Sequence, residues 1–191
     1  FTPLEDTRTV SFELNGSLKV DTITRQDKVL VMTPAAPVSP TAPKATPKPA
    51  VQPAVNPVTF VQDQSNSSDL GPHVRIDLGD NVTKGTSVTL RFKYSGVLDT
   101  PAGGPLLSKR LASVGDTSGY LMYAARWFPF HDYAADPSMA DISISLPAGF
   151  QLVGYSDAPV TNVGGKSRFV QSTPALIGNF AYGKYAQKTL R

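Results

Sequence analysis

Residues that could hold a catalytic metal are few in this sequence. It contains two histidines, His73 and His131, and no cysteine. A zinc hydrolase needs imidazole and carboxylate ligands that converge on one ion, commonly as H-E-x-x-H on a helix, and that pattern does not occur here. His131, Asp132 and Asp136 could share a metal in principle, but no ligand spacing on a regular element supports such a site. An ordinary polar surface loop is the better interpretation, so we predict no catalytic residue, metal ligand or cofactor within this chain.

A second pattern, Gly164-Gly165-Lys166-Ser167, resembles the end of a phosphate-binding loop. The complete motif, G-x-x-x-x-G-K-[ST], needs an earlier glycine at a position that Val160 occupies. The loop therefore cannot wrap a phosphate as that motif does. We predict a hairpin turn between two strands instead.

The most unusual feature is an aromatic segment that runs from Tyr120 to Asp132 and includes the single tryptophan. Aromatic residues and arginine are enriched where protein surfaces dock, so the segment is a candidate apolar wall of a substrate cleft or a domain-docking surface. The alternative is a core strand that leaves through Pro129. The candidate side chains are Tyr120, Tyr123, Arg126, Trp127, Phe128 and Phe130.

The elements that must position these side chains are predicted to be strands. Apolar and polar residues alternate from Val74 to Leu78 and from Val88 to Tyr94, as in half-buried strands. Asn15-Gly16 lies between two alternating runs and predicts a two-residue hairpin turn. We find no long amphipathic helix. Many short strands with frequent turns predict an all-β fold, either an antiparallel β-sandwich or a saddle-like open β domain.

Two stretches interrupt the alternation. Residues 34–57 are rich in proline, which removes a backbone donor and fixes φ, so neither a helix nor a central strand is expected there. We predict an extended, flexible insertion within a single β domain that spans residues 1–191. Residues 99–119 are rich in Gly, Pro and Ser and are predicted to form a long loop.

The overall composition excludes several classes of function. The net charge of +3 is spread along the chain, whereas nucleic-acid binders usually gather their Lys and Arg on one face or segment. No apolar run approaches the roughly 20 residues that a membrane-spanning helix needs. The absence of cysteine excludes disulfides and thiolate metal sites. Together with the insertion rich in proline, alanine and lysine, that absence favours a periplasmic or exported location.

Four segments of the sequence resemble segments of the N-terminal domain of the aminopeptidase N family, and they occur in the same order as in that family. Its members are zinc metallopeptidases of the gluzincin group. Residues 125–132 are similar to the family signature A-R-x-x-F-P-C-x-D-E-P. Residues 84–96 resemble the family strand written kGe.vtL.i.Y.G, and residues 140–154 resemble f.lti.vP.gy.vvsnG. Residues 180–185 resemble the stretch that closes this domain just before the peptidase domain.

The resemblance implies a non-catalytic accessory domain that packs over a thermolysin-like catalytic domain and helps to enclose the substrate cleft. Zinc and the peptide substrate would be held by that catalytic domain of the same polypeptide, whose G-A-M-E-N strand and H-E-x-x-H helix are expected beyond Arg191. One or two family strands are likewise expected before Phe1, so the chain is predicted to be a fragment of a larger protein. Arg126 is predicted to act as a structural anchor of the aromatic segment.

The chain also departs from the family pattern. The family's glutamine or glutamate that grips the free amine of the substrate aligns with Tyr120, and its cysteine aligns with Phe130. Tyr133 replaces the acidic residue that follows Asp132. Because tyrosine cannot supply the negative charge that pairs with an ammonium group, an altered specificity is expected.

An alternative hypothesis is a freestanding β-sandwich module that binds glycan or protein at a bacterial cell envelope. Such a module would use the same aromatic side chains as an exposed platform rather than as a docking face.

Overall fold

The computed structural model describes most of the chain outside the proline-rich stretch. The described residues are 1–31, 50–63, 73–98, 111–131, 136–177, 179–186 and 188.

Nearly every regular element in the described ranges is a β-strand, which confirms the all-β prediction. The exception is a three-residue 3-10 helix at Ala124–Arg126. No helix in these ranges is long and apolar enough to cross a membrane. The strands are β1 (Thr7–Glu13), β2 (Leu18–Val31), β3 (Ala50–Pro57), β4 (Thr59–Gln62), β5 (His73–Val82), β6 (Thr89–Gly96), β7 (Ala112–Val114), β8 (Ser118–Leu121), β9 (Ser138–Ser145), β10 (Gln151–Gly154), β11 (Thr161–Val163), β12 (Lys166–Ala175) and β13 (Phe180–Gly183).

The described strands form four sheets. Three of them are three-stranded, with the orders β1-β5-β4, β3-β2-β6 and β11-β12-β9, and the fourth is four-stranded, with the order β10-β13-β8-β7. The strand registers in the four-stranded sheet and in the β11-β12-β9 sheet are antiparallel. Because neighbouring side chains on one strand point to opposite faces, these registers fix which residues share a face.

One compact unit consists of Phe1–Val10, Asp21–Phe60 and Ile76–Lys93. Its first residues are held by Val88, whose N–H donates to the carbonyl oxygen of Phe1 at 2.8 Å. The predicted alternation of β5 supplies buried apolar side chains to this unit. The buried apolar residues in the described part of this unit are Ile23, Ile76, Leu78, Val82 and Val88.

The other compact unit consists of Ser11–Val20, Val61–Arg75 and Tyr94–Arg191, and it contains the aromatic segment. Among the residues that the structure describes, its core contains more aromatic rings than that of the first unit. The described buried apolar residues of this second unit are Leu14, Leu18, Val20, Val74, Leu98, Ala112, Ala124, Phe130, Phe169, Ile177, Phe180 and Tyr182.

The end of the predicted proline-rich insertion is a paired strand rather than a flexible excursion. Strand β3 pairs antiparallel with β2, from Val31 opposite Ala50 to Thr24 opposite Pro57. It lies at the edge of its sheet, where a residue without an N–H donor can face away from the ladder. The prediction excluded a central strand but missed this edge strand, and residues 34–49 lie outside the described residues.

The hairpin predicted at Asn15-Gly16 was wrong. Strands β1 and β2 flank the turn but belong to different sheets. The Leu18 N–H donates to the Asn15 carbonyl at 2.9 Å, and the Asn15 side-chain oxygen accepts from the backbone N–H of Ser17 at 3.0 Å. An Asx turn of this kind redirects the chain locally and does not require the two flanking strands to pair.

The long loop predicted over residues 99–119 was partly wrong. Ala112–Val114 and the first residues of β8 are strands, and they pair with each other from Val114 opposite Gly119 onward. Residues 99–110 lie outside the described residues.

By contrast, Gly164 and Gly165 form the predicted hairpin turn between β11 and β12, with φ of 59° and 76°.

Candidate functional site

The aromatic segment leaves β8 through a strained turn. Tyr123 has φ 66° and ψ 108°, and it is the one non-glycine residue with positive φ in the described part of the chain. Such a conformation costs on the order of 1–3 kcal/mol and persists only when surrounding packing imposes it. The following 3-10 turn begins at the fully buried Ala124, whose carbonyl accepts from the Phe128 N–H at 3.1 Å. Packing of Ala124 therefore fixes the direction in which the aromatic residues continue.

These aromatic residues form an edge-to-face cluster, which we call the aromatic cluster (Trp127, Phe128, Phe130 and Phe180). Ring centroids are 4.5 Å apart for Trp127 and Phe128, and 5.7 Å apart for Trp127 and Phe180. Phe128 and Phe130 are also 5.7 Å apart. Phe130 is tied to Glu13 by two backbone hydrogen bonds of 2.8 and 3.1 Å. The edge-to-face arrangement adds to the stability that burial of these rings provides.

Arg126 lies inside the protein beside this cluster. The residue is only 6% exposed, and its guanidinium carbon lies 5.7 Å from the centroid of the Tyr123 ring. A cation over an aromatic face is attracted by the ring quadrupole, more strongly when both are shielded from water. The position fits the predicted anchoring role, which remains a prediction.

The backbone of the aromatic segment is also fixed from strand β6. The Tyr94 hydroxyl donates to the carbonyl oxygen of Trp127 at 2.9 Å, and burial raises the pKa of this phenol. The half-buried Trp127 ring has its indole nitrogen shielded from solvent, with no hydrogen-bond partner among the described residues. Trp127 is thus held by packing and by its backbone rather than through its N–H group.

Tyr120 lies on a face of the four-stranded sheet, in register with two other side chains. Val153 on β10 is opposite Ala181 on β13, and Ala181 is opposite Tyr120 on β8. This row borders a shallow depression of about 360 Å³, which we call the apolar depression. Its lining residues are Tyr120, Met122, Val153, Gly154, Tyr155, Asn179, Phe180 and Ala181.

Sequence reasoning missed a hydrogen-bonded clamp at the rim of the apolar depression. The Tyr155 hydroxyl donates to one carboxylate oxygen of Asp157 at 2.5 Å. The other oxygen accepts from the N–H and the hydroxyl of Ser172, at 2.6 and 2.9 Å, and from the Thr173 N–H at 3.3 Å. The Tyr155 hydrogen bond and those from Ser172 lower the pKa of Asp157 to about 2. The sequence carried no signal for this clamp, because Ser172 and Thr173 lie far along the chain from Asp157.

The described residues contain no cluster of three or more His, Asp or Glu side chains that could hold a metal ion. His131 contacts Asp136 through Nδ1, and its ring lies edge-to-face with Phe12 at 6.3 Å. Asp132 lies outside the described residues.

The six predicted candidates thus occupy two places in this unit. Five of them, from Tyr123 to Phe130, lie in or beside the aromatic cluster, where Arg126 and Phe130 are buried. Tyr120 lines the apolar depression, and Phe180 belongs to both places. The arrangement offers apolar contact surface.

Comparisons with known proteins identify similar folds but no close sequence relatives. No protein-family model matches the chain, and no curated protein matches it. Among solved structures, an M1 zinc metallopeptidase from Deinococcus radiodurans superimposes with a TM-score of 0.62 at 16% identity, over 95% of this chain and 36% of that chain. A mutant of this metallopeptidase bound to a Tyr-Ser-Ala substrate gives a TM-score of 0.62 at 15% identity, over 95% of this chain and 36% of that chain.

A third solved structure, a two-domain M1 zinc metallopeptidase mutant bound to L-tryptophan, gives a TM-score of 0.59 at 16% identity, over 94% of this chain and 35% of that chain. The chain therefore spans little more than a third of the structures that it matches. At this level of identity the comparison establishes a shared fold: nearly the whole of this chain folds like one part of an M1 zinc metallopeptidase.

Proposed function

We propose that this chain is a non-catalytic accessory domain of an aminopeptidase N-like zinc metallopeptidase. It packs on the catalytic domain of the same polypeptide and helps to form the cleft that takes the peptide substrate. In this proposal zinc and the catalytic groups belong to that other domain, since the fold matches only 36% of a zinc metallopeptidase chain.

The observation that carries the proposal is the asymmetric coverage of the structural match. The fold agrees over 95% of this chain but over only 36% of the Deinococcus radiodurans metallopeptidase. The four sequence segments that resemble the aminopeptidase N family support the same assignment. A match over nearly the whole of this chain and about a third of the enzyme is what an accessory domain of such an enzyme predicts.

The geometry of Trp127 supports this proposal over the freestanding binding module. Glycan-binding platforms present a flat aromatic face to solvent, whereas Trp127 is half-buried and has the Phe128 and Phe180 rings packed edge-to-face with it. The indole is better placed to brace the aromatic cluster than to stack on a ligand.

The test begins with the complete gene and the polypeptide that it encodes. We expect an H-E-x-x-H motif with a downstream Glu after residue 191, and hydrolysis of unblocked peptides by the complete polypeptide. A zinc chelator should abolish this hydrolysis and added zinc should restore it. The 191-residue chain, assayed at the same concentration, is the matched control and should show no hydrolysis.

A complete gene that encodes no metallopeptidase domain would refute the proposal. In that case the binding-module hypothesis becomes the one to test, by titrating the Trp127 fluorescence with soluble cell-wall glycans.

A further inference from the structure

The turn between β1 and β2 exposes a backbone nitrogen next to an asparagine side chain. Gly16 follows Asn15 and is exposed, and its N–H makes no hydrogen bond within the described residues. Because glycine has no Cβ atom, little obstructs closure of a succinimide ring between the Gly16 nitrogen and the Asn15 Cγ. The turn therefore leaves an intramolecular nucleophile accessible.

The same turn polarises the side-chain carbonyl that this nitrogen would attack. The Asn15 Oδ1 accepts from the Ser17 N–H at 3.0 Å and from the Ser17 hydroxyl at 2.9 Å. Two donors on one carbonyl oxygen stabilise the negative charge that develops there when a nucleophile adds, as donors in an oxyanion hole do. The Asn15 Nδ2 would be the leaving group, and its departure breaks no hydrogen bond to a described residue.

We propose that Asn15 is a site of spontaneous deamidation in the folded chain, promoted by the two donors of Ser17. The Gly16 nitrogen loses its proton to water and bonds to the Asn15 Cγ, while Nδ2 takes up a proton and leaves as ammonia. Water then opens the succinimide at one of its two carbonyls, which gives either aspartate or isoaspartate. No oxidant, reductant or cofactor is required, and the net charge of +3 falls by one.

The modified residue lies between closely packed neighbours. Leu14 is fully buried, Leu18 is 5% exposed, and the Leu18 N–H donates to the Asn15 carbonyl at 2.9 Å. A Cβ atom on Gly96 would collide with the Ser17 carbonyl oxygen, so strand β6 passes directly against the turn. In isoaspartate the main chain continues through Cγ and is one methylene longer. We therefore expect the isoaspartyl form to be less stable than the unmodified chain.

Peptide mapping by mass spectrometry measures the reaction during incubation of the 191-residue chain at mildly alkaline pH. The mass change from amide to carboxylate reports deamidation, and electron-transfer fragmentation distinguishes isoaspartate from aspartate. Asn162 is the matched control, because it is an exposed asparagine followed by Val163 rather than by glycine. We expect Asn15 to react at least about tenfold faster than Asn162, since a β-branched residue hinders attack by its own nitrogen.

The Ser17→Ala variant tests whether the turn promotes the reaction. Ser17 is exposed, so the variant should keep the circular dichroism spectrum of the unsubstituted chain. Loss of a donor to the developing charge should slow deamidation of Asn15 by about tenfold, equivalent to about 1.4 kcal/mol in the barrier. Ser17→Thr keeps a hydroxyl and should keep the rate.

A measurement in concentrated urea separates the turn from the dipeptide itself. Without the folded turn, the Ser17→Ala and unsubstituted chains should deamidate at the same rate. The unsubstituted chain should react at least as fast when folded as it does in urea. This comparison needs no variant, so it tests the inference even if Ser17→Ala does not fold.

Three results would overturn the inference. The first is deamidation of Asn15 in the folded chain that is no faster than that of Asn162. The second is an equal rate in the folded Ser17→Ala and unsubstituted chains, because the Ser17 donors then contribute nothing. The third is a much slower reaction in the folded chain than in urea, which would show that the turn protects Asn15. None of these results bears on the proposed function, which depends on the complete gene and on peptide hydrolysis.

Discussion

At the scale of single residues, Tyr182 links strand β13 to the turn between β7 and β8. Its hydroxyl donates to the Gly115 carbonyl at 2.6 Å and accepts from the Gly115 N–H at 2.9 Å. We expect Tyr182→Phe to lower the free energy of unfolding by about 1 kcal/mol. The loss is modest because Gly115 is exposed, so water can replace part of the two hydrogen bonds that the hydroxyl makes. Urea denaturation measures this change. Tyr185→Phe on an exposed ring is the control, and an equal loss in both variants would contradict the role of the Gly115 contacts.

Asp157 should make stability depend on pH in the acid range. Its pKa is lowered from 3.8 to about 2, first by the Tyr155 hydrogen bond and then by those from Ser172. Because the folded pKa is the lower one, the stabilisation is complete above pH 3.8 and is lost as the pH falls through about 2. Asp157→Asn should therefore flatten the fall in the urea midpoint between these two pH values.

The matched control for this prediction is Asp116→Asn, at an exposed carboxylate of the β7–β8 turn. This substitution should leave the fall in the urea midpoint between pH 3.8 and about 2 as it is in the unsubstituted chain. If Asp157→Asn and Asp116→Asn give the same profile, the clamp at Asp157 does not contribute to stability.

At the scale of elements, β13 places a large ring opposite a glycine on each neighbouring strand. Phe180 is paired with Gly154 of β10, and Tyr182 is paired with Gly119 of β8. A Cβ atom on Gly154 would collide with the Phe180 ring, and one on Gly119 would collide with the Tyr182 ring. The two glycines thus give the aromatic rings room to lie across the sheet, which makes β13 the element that organises both the aromatic cluster and the apolar depression.

Phe180→Ala should therefore be among the most damaging substitutions in the unit. The side chain is buried and its ring lies 5.0 Å from that of Phe169 and 5.7 Å from that of Trp127. We expect a loss of about 3–5 kcal/mol in the free energy of unfolding and a red shift of the single tryptophan's emission. Val163→Ala, on an exposed residue of β11, should change stability by less than about 0.5 kcal/mol. A Phe180→Ala variant with unchanged emission would show that Phe180 does not shield Trp127.

The elements that could be predicted from sequence are those whose signal is local. The alternation in β5 and the consecutive glycines Gly164 and Gly165 specify a strand and a turn through their own side chains and backbone. The Asn15-Gly16 dipeptide looks equally clear, but the pairing of its flanking strands is decided by distant sheet partners. Edge strand β3 likewise exists because β2 is available to pair with it.

The candidate site could likewise be predicted from sequence only where its signal is local. The density of rings around Arg126 was visible in the sequence and did identify one cluster. Its division into a buried cluster and a separate apolar depression was not visible, because the register of β13 with β8 and β10 decides it. The Tyr155–Asp157 clamp depends on Ser172 and Thr173, which lie far along the chain, so no local pattern could reveal it.

At the scale of the whole molecule, the proposed function has this chain act on a peptidase through contacts with another domain. Tyr120 is the residue where such an effect can be tested chemically. It lines the apolar depression at the position where the aminopeptidase N resemblance expects a glutamine or glutamate that grips the substrate's amine. A phenol cannot supply the carboxylate charge that pairs with an ammonium group.

Tyr120→Glu in the complete polypeptide should shift specificity towards peptides with a free amino terminus. A hydrogen bond to a charged partner contributes about 1.5–3 kcal/mol, so the ratio of kcat/KM for a free peptide to that for its N-acetylated form should rise at least about tenfold. Tyr120→Phe keeps the ring without adding a charge and should leave this ratio unchanged. If the ratio is the same in Tyr120→Glu and in Tyr120→Phe, Tyr120 does not face the substrate's amine, and the alignment that places it there fails even if the metallopeptidase assignment stands.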